Sequence, residues 1–311
     1  MKKNIQQGAK ILLAVILITW LLLKLDWQFF LQELKGIEVY YIILFFFLQA
    51  IAIYCSVKKW QGIAQYQKIP LSTKEGGKVY LIGTFINNFL PSTIGGDIYR
   101  SLWLVRSKGA EKKNAFSTVI MDRFSGLIGT LVLALVGGIF VYQYLHALPY
   151  FLTVSYVGAL AALLFFLVAF LFLPGKLQAV IPWTKLKNFL AESIRYQNTE
   201  LWLRTSVWTA MFIFFGLGLS NYVLFLALGY TLPFLPFFGL VLLMALYVSL
   251  PISINNLGVK EWAYGVLFVL LGVPFEAAIA VAVLSRILQT GISFLALPFY
   301  LTEKKIIPVQ E

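Results

Sequence analysis

Long apolar stretches are the feature that most limits what this chain can fold into. They recur along the sequence at about 9–25, 39–57, 79–105, 115–144, 150–173, 205–230, 234–272 and 277–301. A helix needs about 20 mostly apolar residues to cross the ~30 Å hydrocarbon core of a bilayer. A transmembrane β-barrel would show short segments of alternating polarity, whereas residues 165–173 are apolar at every position. The pattern therefore predicts an all-α polytopic membrane protein.

The composition excludes the soluble classes of protein. Hydrophobic residues occupy 60% of the 311 positions and charged residues only 12%, against roughly 25% charged residues in soluble domains. The net charge of +12 comes from lysines and arginines in short connections between apolar stretches. There they set topology and contact anionic head groups rather than nucleic acid. Cys55 and His146 are the only cysteine and histidine, so we expect no haem, no metal site and no other cofactor.

Basic residues predict which connections face the cytoplasm. The stretches 58–78 and 100–113 each carry five lysines or arginines, so the positive-inside rule places both in the cytoplasm. The apolar stretch 79–105 between them must then enter and leave the membrane on the same side. Counting onward leaves 234–272 with both ends outside. This topology has about six full spans, two re-entrant broken-helix hairpins from opposite faces, and both termini in the cytoplasm.

The layout predicts a single membrane domain, 1–311, built on an inverted repeat. Its parts are a first helix and outer loop (1–38), repeat one (39–144), a linking helix and cytoplasmic loop (145–204), repeat two (205–301) and a tail (302–311). The sequence Leu90-Pro91-Ser92 is echoed by Leu250-Pro251-Ile252. Inverted repeats with broken helices are typical of alternating-access carriers, whose sites lie where the breaks meet near the midplane.

The first break contains the first group of candidate site residues. Pro91 lacks a backbone donor, and Gly95 and Gly96 permit conformations closed to other residues, so a helix would end there. Irregular backbone inside a membrane must line a cavity or be covered by protein, and its amides form an anion site. The candidates that bind or gate a substrate are Asn87, Asn88, Pro91, Ser92, Thr93, Gly95, Gly96, Asp97 and Arg100. The alternative is an ordinary cytoplasmic loop in which Asp97 and Arg100 form a surface ion pair.

The second break, in the sequence LPISINNLGVKE, contains the second group of candidates. They are Pro251, Ser253, Asn255, Asn256, Gly258, Lys260 and Glu261. The alternative is an external loop that joins two short helices.

Three charged residues inside apolar runs complete the candidate site: Asp122, Arg123 and Arg286. Each costs at least ~2.5 kcal/mol at the centre of a membrane helix, so each should pair or face water. The alternative is a purely structural ion pair between Asp122 and an arginine.

Glycines carry a further expectation. The small residues between Gly126 and Gly138 are typical of close helix packing. We expect Gly95 and Gly96 to make close backbone approaches that a side chain would block, and Gly137 to be less sensitive to substitution.

Three motifs together resemble the lysylphosphatidylglycerol synthase transmembrane family. They are N-x-x-P-x-x-x-G-G-D followed by Tyr99 and Arg100, a helix with Asp122 and Arg123, and P-x-S-x-N-x-x-G-x-x-E from Pro251. The family comprises flippase-like domains related to the membrane half of the bacterial multiple peptide resistance factor, and the resemblance covers nearly the whole chain. It implies movement of a polar-headed lipid between leaflets. It implies no catalysis in the membrane part, because aminoacyl transfer in two-domain relatives belongs to a soluble carboxy-terminal domain.

The functional hypothesis is a lipid flippase or transporter of a bacterial cytoplasmic membrane, for a lipid with an anionic or phosphate-containing head group. The residues that would line or gate a cavity between the hairpins are Asp97, Arg100, Arg123, Glu261 and Arg286. One alternative is a membrane enzyme that acts on a lipid-linked sugar or phospholipid through Asp97, Asp122 or Glu261. The other is a non-transporting partner that docks a lipid synthase or glycosyltransferase on the loop 174–204.

Overall fold

The structure is a computed structural model that describes residues 28, 35–89, 94–141, 157, 158, 161, 198–249 and 256–303. The regular elements in these ranges are all helices. Counting only these residues, four helices are long and apolar enough to cross a membrane: Val39–Tyr66, Lys112–Phe140, Thr199–Ala227 and Phe275–Glu303. Each contains 28 or 29 residues and so extends about 42 Å along its axis.

Both halves of the described chain contain their helices in the same order: a long helix, two short helices and another long helix. In the first half they are α1 (Val39–Tyr66), α2 (Thr73–Phe89), α3 (Ile94–Lys108) and α4 (Lys112–Phe140). In the second half the first long helix consists of α5 (Thr199–Phe212), a π-helical segment (Ile213–Leu219) and α6 (Ser220–Ala227). It is followed by α7 (Phe234–Ser249), α8 (Val259–Phe268), α9 (Phe275–Phe294) and α10 (Leu297–Glu303).

Helices α2 and α3 form an antiparallel pair, the first hairpin. An ion pair of 2.7 Å between Lys108 Nζ and Glu75 Oε1 closes its open end. Nearer the tip the backbones of Gly83 and Gly96 touch, and a Cβ atom on Gly96 would lie 2.2 Å from the Gly83 carbonyl oxygen. Helix α2 begins with a capping box in which Ser72 and Glu75 exchange hydrogen bonds between side chain and backbone.

Helices α7 and α8 form the second hairpin. Phe237, near the start of the first limb, stacks on Phe268, at the end of the second limb, with ring centroids 5.3 Å apart. The limbs therefore run antiparallel. At the tip, Asn256 Nδ2 donates to the Val248 carbonyl at 2.5 Å. Asn256 and Gly258 have φ angles of 54° and 79°, a left-handed conformation that asparagine and glycine adopt more readily than other residues.

Each hairpin packs against a long helix from the other half of the chain. The first hairpin contacts α9, where Asn88 Nδ2 donates to Ser293 Oγ at 2.5 Å. The second hairpin contacts α4 through two glycines, since a Cβ atom on Gly137 would lie 2.9 Å from the Gly239 carbonyl oxygen. The two halves are therefore interlocked rather than side by side.

The hairpins open toward opposite ends of α4. The first opens beside Lys112, because only residues 109–111 separate α3 from α4. The second opens near the other end, since Gly239 contacts Gly137 while Leu246, closer to the tip, clusters with Leu131. Both tips therefore reach toward the middle of α4.

The predicted fold class is confirmed, and so are the two interruptions, because the limbs of each hairpin are separate antiparallel helices. The four long helices correspond to predicted spans at 39–57, 115–144, 205–230 and 277–301. The predicted span 9–25, nearly all of 150–173, and the breaks themselves at 90–93 and 250–255 lie outside the described residues. The inverted repeat and its boundaries stay predictions.

Gly137 is also closely packed, since a Cβ atom there would lie 2.7 Å from the Leu242 Cβ atom, whereas one on Gly96 would lie 2.2 Å from the Gly83 carbonyl oxygen. The expectation that Gly137 is less sensitive to substitution stays a prediction. The packing role predicted for the small residues of α4 is confirmed, because a Cβ atom on Gly129 would also lie 2.9 Å from the Thr209 side chain.

Candidate functional site

Asp97 is the carboxylate that joins the first hairpin to α4. It lies in the first turn of α3, where the helix dipole favours an acid. Its Oδ1 accepts a hydrogen bond from Arg100 Nη2 at 2.8 Å, and its Oδ2 accepts one from Arg123 Nε at 2.9 Å. Arg123 Nη2 lies 3.2 Å from Oδ1, so this side chain binds the carboxylate through two nitrogens, the strong geometry for such a pair.

Arg100 and Asp122 form the buried part of the same network. Arg100 Nη1 donates to Asp122 Oδ2 at 2.9 Å, and Lys59 Nζ from α1 lies 3.0 Å from Oδ1. Lys59 aims its hydrogen bond at the main-chain oxygen of Asp122. Oδ1 accepts no directed hydrogen bond within the described part of the chain, so that contact is ionic. The rings of Trp60 and Tyr80 lie 5.0 and 5.1 Å from the Arg100 guanidinium.

Lys59, Asp97, Arg100, Asp122 and Arg123 together form the first charge cluster. Among the described residues it holds three cations and two carboxylates, which leaves one positive charge in excess. Arg123 is its accessible member, since 54% of that side chain is exposed against 5% for Arg100. A cation inside a membrane protein needs an anion or water beside it, and Arg123 is where either can arrive.

The second hairpin carries the second charge cluster, formed by Lys260, Glu261 and Arg286. Glu261 Oε1 accepts from Arg286 Nε at 2.6 Å, and Arg286 Nη2 donates to the Asn256 carbonyl at 3.0 Å. This guanidinium therefore ties the tip of the hairpin to α9. Lys260 is buried and donates to Ser285 Oγ at 2.8 Å. Glu261 and Arg286 balance each other's charge, and Lys260 is a buried amine whose hydrogen bond goes to a neutral hydroxyl.

The acid–arginine pairs of the two clusters occupy equivalent positions in the two halves. In each half the acid lies in the first turn of the second limb of the hairpin, at Asp97 and Glu261. Its arginine lies on the following long helix, eleven residues after that helix begins, at Arg123 and Arg286. The partners are 26 and 25 residues apart in sequence. The repetition therefore extends from the order of the helices to the chemistry at the hairpin tips.

Backbone amides at the start of both second limbs are bound by side chains of the same hairpin. Gly96 N donates to Asn87 Oδ1 at 2.7 Å, and Gly258 N donates to Glu261 Oε2 at 2.8 Å. The expectation that freed amides form an anion site concerns the first break, whose residues 90–93 lie outside the described part of the chain, so it stays a prediction.

A groove of about 400 Å³ lies between α3 and α4, beside the first charge cluster. The surface of its lining is almost entirely apolar, and the polar residues that border it are Asp97, Ser101 and Arg123. Ile98, Phe116 and Ile120 are exposed along its apolar part. The groove thus places an accessible cation next to an open hydrocarbon surface.

The structure brings the predicted charged residues into two clusters. The alternative in which Asp97 and Arg100 form a surface ion pair is wrong, because Arg100 is only 4% exposed. Asp122 does pair with an arginine, Arg100, although its neighbour Arg123 turns to Asp97 instead. Of the other predicted residues, Gly95 lies within α3 and Asn88 contacts α9. Six candidates lie outside the described residues: Pro91, Ser92, Thr93, Pro251, Ser253 and Asn255.

Sequence reasoning missed Lys59 and Ser285. The sequence assigned Lys59 to a basic cytoplasmic connection, but α1 continues to Tyr66 and therefore contains Lys59. The apolar residues Ile63 and Ala64 beyond it are fully buried. Their helical spacing from Trp60 was the available signal that the helix runs on.

These features define a polytopic helical membrane protein whose two helical hairpins carry acid–arginine pairs at their tips. The chain belongs to the family described as the lysylphosphatidylglycerol synthase TM region, which matches residues 8–296. It is similar to a UPF0104 membrane protein of Methanocaldococcus jannaschii, at 25% identity over 287 residues, with 83% of this chain and 84% of the relative covered. A second UPF0104 membrane protein of that organism is 27% identical over 243 residues, covering 72% and 96%. The family predicted from the motifs is confirmed.

Proposed function

We propose that this protein moves a lipid with an anionic, phosphate-containing head group between the leaflets of a membrane. The observation that carries the proposal is the repeated acid–arginine pair at the tips of two hairpins that open in opposite directions. Carriers of the alternating-access type use broken, opposed segments of this kind around a central site. The family description names a lipid synthase, which agrees with a lipid as the ligand.

The chemistry of the pairs suits a phosphate head group. A phosphate presents two oxygens to a guanidinium in the same way as a carboxylate does, and both are bound bidentately. Arg123 can therefore exchange Asp97 for a phosphate without becoming an uncompensated charge. Among the described residues the first charge cluster has one positive charge in excess, which a head group with one negative charge neutralises, while the acyl chains stay in the lipid phase.

The enzyme alternative needs an available carboxylate to act as acid, base or nucleophile. Asp97, Asp122 and Glu261 each accept hydrogen bonds from an arginine. A carboxylate already bound to a cation is poorly placed for those roles, so the geometry favours binding over catalysis. The docking alternative concerns the loop 174–204, which lies outside the described residues.

A leaflet assay in reconstituted vesicles tests the proposal. Vesicles of phosphatidylcholine with a trace of fluorescent phosphatidylglycerol are treated with a membrane-impermeant quencher, and the protein should increase the rate at which inner-leaflet probe becomes accessible. Arg123→Gln and Arg286→Gln should each slow this rate at least tenfold, roughly the loss of one charged hydrogen bond.

Arg204→Gln is the matched control, since Arg204 forms an exposed pair with Glu200 at 3.7 Å and should move lipid normally. Unaltered rates in both charge variants would contradict the proposal. Mass spectrometry of the same vesicles separates the enzyme alternative, because a new lipid species would favour catalysis.

A further inference from the structure

We propose that the groove between α3 and α4 holds one acyl chain of an anionic phospholipid whose phosphate binds Arg123. This inference rests on the proposed function, because it locates the transported lipid at the first charge cluster. It also assigns different roles to two arginines: Arg123 contacts the lipid, and Arg100 holds the hairpin in place.

The groove has the composition of a lipid site. Its volume of about 400 Å³ lies within the ~300–1,000 Å³ range of small-molecule pockets. The walls near Phe116 and Ile120 are apolar and open to the outside of the protein, so within a membrane they meet hydrocarbon. Along α4 the lining extends from Phe116 to Leu127, about 16 Å of helix. That length accommodates an extended stretch of acyl chain.

Charge selects the head group. Arg123 is the cation of the lining and 54% of its side chain is exposed, and the described residues of the first charge cluster have a net positive charge. The nearby carboxylate of Asp97 is shared between Arg100 and Arg123, so it does not cancel the attraction for an anion. A glycerolipid without a phosphate offers Arg123 no anionic oxygen, whereas an anionic phospholipid offers one and compensates the excess charge.

The position of Arg123 distinguishes this lipid from an ordinary neighbour of the protein. Lys112 and Lys113 begin α4, and such residues mark the membrane surface. Arg123 lies eleven residues further along α4, about 16 Å and thus roughly half of the ~30 Å hydrocarbon core. A phosphate bound there has left the surface, as a transported lipid must.

Photolabelling tests the site directly. The full chain is placed in nanodiscs that contain phosphatidylglycerol with a diazirine near the end of one acyl chain, and labelled residues are mapped by mass spectrometry. We expect labels on the α3 and α4 residues of the groove. Diacylglycerol with the same labelled chain lacks the phosphate and should label the groove about tenfold less.

Two pairs of variants isolate the two contacts. Arg123→Gln removes the phosphate contact and should reduce groove labelling about tenfold, while Arg106→Gln removes the same charge from α3 outside the groove and should not. Ile120→Trp fills the groove without changing any charge and should also reduce labelling. Val132→Trp enlarges an exposed side chain elsewhere on α4 and is its control.

Equal labelling by the two lipids, or groove labelling that survives Ile120→Trp, overturns the inference. Groove labelling without lipid movement in the leaflet assay would leave this site standing and remove the transport proposal. Lipid movement without groove labelling would remove this site and leave the transport proposal standing.

Discussion

Asp122 shows how a single carboxylate is accommodated inside an apolar helix. Cations from two other helices, Lys59 and Arg100, lie within 3.0 Å of its two oxygens. Gly126, one turn further along α4, leaves room for Lys59, since a Cβ atom there would lie 3.1 Å from Nζ. Removing one member of such a network leaves the other charges buried without compensation. The free-energy cost of this loss exceeds the net stabilisation that the intact network provides.

We expect Asp122→Asn to lower the free energy of unfolding by about 3–5 kcal/mol, because Lys59 and Arg100 then lose their shared carboxylate. Glu200→Gln is the control, since the exposed pair with Arg204 measures 3.7 Å and contributes about 0–1 kcal/mol. Thermal unfolding of the purified variants in detergent measures both. Equal losses would contradict the structural role of the first charge cluster.

Gly96 offers a test of backbone packing at the same scale. We expect Gly96→Ala to cost at least about 1–3 kcal/mol, because its Cβ atom would overlap the Gly83 carbonyl at 2.2 Å. Gly77→Ala lies in the same hairpin with nothing within 4 Å, and should stabilise α2 by up to about 1 kcal/mol through helix propensity. Protein abundance and melting temperature compare the two. If Gly77→Ala also destabilises the protein, the loss in Gly96→Ala is not due to the overlap with Gly83.

At the scale of helices, the hairpins were predictable and their partners were not. Pro91 indicates a break because its backbone preference is local, whereas Gly95 and Gly96 lie within α3 and the expectation that a helix ends at them is wrong. The contact of Asn88 with Ser293 joins residues 205 positions apart. It depends on how each helix is rotated about its axis, which the direction of each side chain and the packing of all neighbours decide together. For the same reason the sequence does not reveal that Gly137 lies in close contact with α7.

The open end of the first hairpin predicts a pH-dependent stability. Hydrogen bonds from Lys108 and Ser72 lower the pKa of the Glu75 carboxyl from 4.5 to about 2. A carboxyl whose pKa is lower in the folded than in the unfolded state stabilises the folded protein, and this stabilisation is complete when the pH is above the unfolded-state pKa. The stabilisation by Glu75 is therefore lost as the pH falls from about 4.5 toward 2.

Glu75→Gln should therefore be less stable than the native chain near neutral pH, and the difference should shrink below pH 4.5. Because the Glu75 side chain is 38% exposed, solvent screening limits the difference to about 1 kcal/mol or less. Melting temperatures between pH 7 and pH 3 measure it. Glu111→Gln, at the turn between α3 and α4, is the control and should show no such trend. A constant difference across this range would contradict the role of the Glu75–Lys108 pair.

At the scale of the whole molecule, the two hairpins are held by both halves of the chain. Each tip is attached to its own half by an acid–arginine pair and to the other half by helix packing. Motion of one hairpin must therefore alter contacts in both halves. The sequence echo between the halves indicated this architecture only weakly, because packing requires equivalent geometry and charge rather than identical residues.

The opposed hairpins make a final prediction about topology. The first hairpin opens at the Lys112 end of α4 and the second near its Phe140 end, so their open ends should face opposite sides of the membrane. Basic residues assign the Lys108 side to the cytoplasm. On a Cys55→Ala background, which removes the only native cysteine, Lys108→Cys should react with an impermeant thiol reagent only from the cytoplasmic side. Thr231→Cys, exposed at the start of the second hairpin, should react only from outside. Labelling of both from the same side would show that the hairpins are not inverted, and an alternating-access cycle between them would then have no structural basis.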